Sequence, residues 1–178
     1  MESVFRFLDV LFVPHFLVFL NSILKFNSRP LSPGEIEAAQ TVFGNSINYQ
    51  KVRVDTKAWL GCKQYHFAYV GFHVINCWGK LSRPLLIHEL MHVWQYQRFG
   101  AVYIPRALYA QHSPEGYNYG GGEAIRQAAL EGLSLQHFNW EQQADIVADY
   151  FCLQHDLKPR WCKFGAVYLP YFKKIISG

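Results

Sequence analysis

Residues 82–100 read SRPLLIHELMHVWQYQRFG, and their reading decides both the fold class and the chemistry. Ser82-Arg83-Pro84 is a helix start and Gly100 a helix stop. Between them Leu85, Leu86, Ile87, Leu90, Met91, Val93, Trp94 and Phe99 are apolar nearly all round. A helix apolar on every side is a buried central helix. Trp94 and Tyr96 are expected to pack in the core. The same helix carries His88-Glu89-Leu90-Met91-His92, which fits the pattern H-E-x-x-H. A helix turns about 100° per residue, so His88 and His92 stand one above the other. Two imidazoles so placed can share one metal, and Glu89 between them can act as the base. Burying both on an apolar helix without partners would be costly, which favours a site over two idle core residues.

Zinc in a catalytic site takes three protein ligands and leaves the fourth position to water. One arrangement places the third ligand a fixed distance after the second His, with a Gly on the way. Gln95 and Arg98 occupy those two places, so the metzincin pattern is excluded. The remaining common arrangement draws a Glu from a second helix. The candidates are Glu115, Glu123, Glu131 and Glu141, and Glu141 is favoured because it opens EQQAD, residues 141–145. Glu141 and Asp145 are four apart on one helix and face the same way. Glu141 would bind the metal, and Asp145 would hold the far nitrogen of a ligand His. Ala144 between them permits close approach of the helices.

Away from this helix the chain is less specific. Its 178 residues fit one domain with a sizeable core. With 51% hydrophobic and 17% charged residues it is not a disordered chain. A net charge of +4, spread without a basic stripe, argues against a nucleic-acid partner. Cys62, Cys77, Cys152 and Cys162 form no C-x-x-C pair, so reduced thiols are expected rather than a zinc ribbon or a disulfide framework.

Two parts are expected: an apolar helical segment over residues 1–30 and a metallopeptidase domain over residues 31–178. Within the first, residues 4–24 are apolar but interrupted by Arg6, Asp9, Pro14 and His15. They read as short helices packed on the body, with weak membrane association, rather than as a spanning helix or a signal peptide. Ser32, Pro33 and Glu35 form a capping box for a helix that ends at Gly44. Residues 47–54 alternate as a strand, and residues 65–78, broken at Gly71, read as one hairpin or two adjacent strands. Residues 103–122 read as an irregular aromatic loop. Helices are expected over 124–135 and 140–154, the second started by Asn139 with Gln142. The sum is an α+β fold, a mostly helical single domain with a small sheet or hairpin and a zincin-like pair of active-site helices.

Three blocks in order, GEIEAAQTVFGNSINYQKVRV, IHELMHVWQYQ and EQQADIVADYF, resemble the Vgr-related, Rhs-associated zinc peptidases of bacteria. The resemblance covers roughly residues 33–153. More widely the pattern is similar to gluzincins such as the thermolysin-like peptidases, in which a ligand Glu is followed four residues on by an Asp. That pattern maps onto Glu141 and Asp145, although the interval from His92 is much longer here.

The resemblance implies a zinc-dependent metallohydrolase associated with type VI secretion and polymorphic toxins. Such an effector is made in the bacterial cytoplasm and delivered without a classical signal peptide. Its implied partners are a peptide or peptidoglycan substrate, the Vgr or Rhs secretion apparatus and an immunity protein. In the expected mechanism His88, His92 and Glu141 hold Zn²⁺ and Glu89 is the base. An oxyanion donor is sought among His112, Tyr117 and Tyr119 of the aromatic stretch. Rival functions are a peptidoglycan endopeptidase or amidase, and a non-catalytic secretion adaptor with a structural zinc.

Overall fold

The computed structural model describes residues 28–59, 62–65, 67–163 and 165–178. Of the helical segment expected over 1–30, only residues 28–30 are described, and they form a strand instead. The rest of that segment, with the membrane association expected over 4–24, lies outside the described residues. The described chain is mostly helical with one small four-stranded sheet, as the α+β reading requires. It falls into two compact units, one running to Pro105 and the other from Arg106 to Gly178.

The first unit contains β1 (Ser28–Pro30), α1 (Pro33–Phe43), β2 (Arg53–Asp55), the short α2 (Cys62–Tyr65), β3 (Tyr69–Gly71), β4 (Val74–Asn76) and α3 (Arg83–Phe99). The sheet order is β1-β2-β4-β3. The β1/β2 and β3/β4 pairs are antiparallel, and β2 runs parallel to β4 with Val54 opposite Ile75. Val54 and Ile75 are fully buried. Each such aliphatic side chain contributes about 1.5–3 kcal/mol by leaving water.

α1 starts as its sequence dictates. The Ser32 hydroxyl accepts from Glu35 N–H, and the Glu35 carboxylate accepts from Ser32 N–H at 2.7 Å. Arg29 of β1 then grips the same carboxylate with both guanidinium nitrogens, at 2.7 and 2.8 Å.

The strand expected over 47–54 shrinks to 53–55, and residues 49–51 form a 3₁₀ turn. The backbone of Asn48 is already taken. Its N–H donates to Gln97 Oε1 at 2.8 Å, and its carbonyl accepts from Gln97 Nε2 at 3.3 Å. A side-chain amide of α3 therefore stands where a strand partner would have to pair.

The hairpin reading of 65–78 holds for β3 and β4, which turn through Phe72 and His73. Phe72 takes φ of 61°, unusual for a bulky residue. Its ring and that of His73 lie 5.4 and 4.8 Å from Tyr96 of α3, so aromatic packing holds the turn.

α3 is the central helix of this unit. Ser82 caps it, and every residue from Leu86 to Tyr96 is buried except Trp94, which is half-buried. Trp94 instead packs on Phe99, with the Arg98 guanidinium over its ring.

The second unit contains most of α4 (Tyr103–Gln111), then α5 (Gly121–Leu130), α6 (Trp140–Gln154) and α7 (Leu169–Ser177). Residues 103–111 were expected to be loop and are helix. Tyr103, Ala107 and Ala110 are buried at helical spacing, and Pro105 falls in the first turn, where its missing N–H removes no helix bond. The helix expected over 124–135 runs from Gly121 to Leu130. It ends in a Schellman turn. Gly132, at φ 76°, donates to Ala129 O, and Leu133 N–H donates to Ala128 O at 2.9 Å.

α6 matches its expected limits. Asn139 Oδ1 accepts from Glu141 and Gln142 N–H, and the Gln142 side chain accepts from Asn139 N–H. α7 packs on α5 and α6 through the buried Phe172, whose ring meets Tyr119 edge-on and Tyr150 stacked.

Candidate metal centre

Among the described residues, α3 and α6 are the two helices that carry buried acidic or histidine side chains. His88, Glu89 and His92 lie on α3, and Glu141, Asp145 and Asp149 on α6; all six are buried. Lone charged groups are not kept in such surroundings without partners. The four-residue spacing of Glu141, Asp145 and Asp149 puts their carboxylates along one face of α6.

His88, His92 and Glu141 come together. One candidate ligand atom from each lies within 4.8 Å of the others. The two imidazole rings are 5.0 Å apart and nearly perpendicular, as expected for residues four apart sharing one face. Of the four Glu candidates, Glu141 is the one that is buried. Glu123 is exposed and paired with Arg126, Glu131 is exposed and accepts from Gln127, and Glu115 is exposed. Two imidazoles and one carboxylate are the donor set that zinc takes in hydrolytic sites, so the residues present fit that ion.

The far side of His92 is occupied. Its Nδ1 lies 2.8 Å from Gln95 Oε1, and Gln95 is fully buried. With Nδ1 so engaged, Nε2 is the nitrogen His92 can offer a metal. The sequence reading used Gln95 only to exclude a metzincin. Its spacing of three from a ligand His on one helix was the available signal.

Asp145 and Asp149 are also bonded to the segment that follows α6. Asp145 Oδ2 accepts from Trp161 Nε1 at 2.6 Å and from the Arg160 guanidinium at 3.2 Å. Asp149 accepts from the backbone N–H of Arg160 at 2.6 Å, Trp161 at 2.8 Å and Cys162 at 3.2 Å. Two carboxylates one turn apart thus clamp residues 160–162. Asp149, Arg160 and Trp161 were not singled out from sequence, because nothing local to a buried Asp announces a partner eleven residues away.

The aromatic stretch divides in the same way. The Tyr119 hydroxyl donates to Asp149 at 2.6 Å, and burial, then the Asp149 charge, pushes its pKa well above the usual tyrosine value. Its phenol hydrogen is therefore engaged in the fold. Tyr117 is half-buried beneath the Arg160 guanidinium, 5.1 Å from its ring centre. His112 is exposed at the end of α4, with Nδ1 2.8 Å from Leu108 O.

All four cysteines are buried thiols. Burial pushes Cys77 and Cys152 up to about 11. No helix among the described residues is long and apolar enough to cross a membrane.

Fold and site together define an α+β domain with a helix-borne H-E-x-x-H motif and a Glu from a second helix. No family model matches the chain. It is 38% identical over 136 residues, 69% of its length, to the type VI secretion system spike protein VgrG2b of Pseudomonas aeruginosa. The match spans only 13% of that relative's length. Among solved structures the chain is similar to the effector domain of Pseudomonas aeruginosa VgrG2b, with a TM-score of 0.53 and 27% identity. That likeness covers 84% of this chain and 82% of the other. The chain is thus similar in sequence to part of that spike protein and in fold to its effector domain.

Proposed function

We infer that the protein is a zinc-dependent metallohydrolase that cleaves an amide bond and acts as a type VI secretion effector. The observation that carries the reading is the convergence of His88, His92 and Glu141 within 4.8 Å, with Glu89 buried on the same helix. Those three residues would hold the ion. When bound, zinc supplies Lewis-acid activation of water and of an amide carbonyl. Three protein ligands leave a position for water, which favours catalysis over a structural adaptor closed by four ligands.

The chain's own residues then divide the work. Glu89 takes the proton of the attacking water and returns it to the leaving amine nitrogen. General acid–base transfer of this kind contributes about 10²–10⁴-fold in rate. Gln95 holds the His92 ring, and the Asn139 cap fixes the first turn of α6, where Glu141 sits. His112 and Tyr117 are the candidate donors to the developing oxyanion, Tyr119 being engaged by Asp149. The likeness to the effector domain of VgrG2b supports the effector role and delivery by a spike complex, and the proposal includes a neutralising immunity partner.

Incubation with unfolded protein and, separately, with purified cell wall tests the reading. Fragments released by the wild-type chain and absent with Glu89→Gln support a hydrolase and identify its substrate class. Fragments from cell wall alone make it a peptidoglycan endopeptidase or amidase. No release from either substrate by zinc-loaded protein removes the hydrolase reading.

A further inference from the structure

We propose that Gln95 is the positioning residue of the metal centre, fixing His92 as the Nδ1–H tautomer so that Nε2 faces the ion. The inference rests on the zinc reading above and adds a residue to it. Two observations carry it. Gln95 Oε1 is 2.8 Å from His92 Nδ1. Gln95 has no exposed surface and stands one helical turn beyond His92 on α3, so the pair is held by one rigid element.

A carboxamide does different work from a carboxylate here. Its oxygen accepts the Nδ1 hydrogen and orients the ring, yet it adds no negative charge. Glu89 and Glu141 already bring two carboxylates to this region of buried side chains. A third would make the imidazole more basic and donate more charge to the ion, lowering its strength as a Lewis acid. A neutral acceptor orients the ligand without that loss. The amide nitrogen cannot replace the oxygen, since two donors would then face each other, so the orientation of the Gln95 side chain is set.

The test is zinc affinity, measured by competition with a chromophoric chelator on the full chain. Gln95→Met keeps the length and removes the acceptor, and should bind zinc ~10–100-fold more weakly. Gln95→Glu restores an oxygen at the same reach and should bind at least as tightly as the wild type. Unfolding of the metal-free variants by urea separates this loss from a general loss of stability. If Gln95→Met binds zinc as tightly as the wild type, the positioning role is wrong. If the wild type itself binds no zinc, the zinc reading fails first, and the two failures are distinct. Should Gln95→Met not fold, the imidazole ¹H–¹⁵N correlations of zinc-loaded wild-type protein decide. His92 protonated on Nδ1 and bound through Nε2 supports the proposal, and binding through Nδ1 overturns it.

Discussion

Tyr119 donates its phenol hydrogen to Asp149 at 2.6 Å, and the same carboxylate accepts the backbone N–H of residues 160, 161 and 162. One buried side chain thus ties the stretch before α5 to the segment after α6. Asp149→Ala would strand four donors at once. An unsatisfied buried donor costs about 1–3 kcal/mol, but water admitted to the gap recovers part, so a net loss of roughly 3 kcal/mol is expected. Tyr119→Phe removes one hydrogen bond to a charged group and should cost about 1.5–3 kcal/mol. Urea unfolding monitored by far-UV circular dichroism measures both. Equal stability of Asp149→Ala and wild type would show that the clamp does not hold the fold.

Glu35 gives a pH signature. The Arg29 guanidinium, bonded to its carboxylate, and the Ser32 cap hold its pKa down at about 2, against an ordinary value of 4.5. A carboxylate depressed by folding stabilises the native state above its unfolded pKa, and that contribution is lost as pH falls toward the folded value. The stability difference between wild type and Glu35→Gln should therefore be constant above about pH 5 and shrink as pH falls from about 4.5 to 2. Urea midpoints at several pH values read it directly. A difference that stays constant down to about pH 2 would contradict the ion pair.

Gly122 sits where backbone and ring meet. A Cβ there would overlap the Tyr168 ring. Alanine in a helix gains up to about 1 kcal/mol over glycine, but this overlap forces the ring or the helix to move, at about 1–3 kcal/mol. The clash should win, so Gly122→Ala is expected to destabilise. Adding Tyr168→Ala should remove the penalty of the Gly122 change, which a double-mutant cycle reads out.

Much of this was legible before the structure. The capping box at Ser32, the limits of α3 and the Asn139 start of α6 are local, because a cap is decided by residues three apart. The grouping of His88, His92 and Glu141 was legible because H-E-x-x-H and EQQAD each carry their own helical register. What failed was decided at a distance. The strand over 47–54 lost its start to a Gln97 side chain 49 residues away from Asn48. The loop expected over 103–122 hid a helix whose buried face is small, Ala107 and Ala110 behind Tyr103, and aromatic content masked that period. The Asp149 clamp and the Gln95 contact are buried polar pairings, which composition and periodicity do not reveal.

Glu89→Gln separates chemistry from binding. The substitution keeps size and removes the proposed base, and Glu89 is not among the three proposed ligands. Zinc content should stay at the wild-type level, while amide hydrolysis falls by about 10²–10⁴-fold. Full activity in Glu89→Gln would remove the base from that position.

Metal analysis of the purified 178-residue chain and its Glu141→Ala variant, loaded with zinc and then dialysed, is the most direct measurement of the central claim. If His88, His92 and Glu141 hold the ion, the wild type retains about one zinc per chain and Glu141→Ala loses it, with the helical circular dichroism signal unchanged. A wild type that retains no zinc, or a Glu141→Ala variant that retains as much as the wild type, would contradict it.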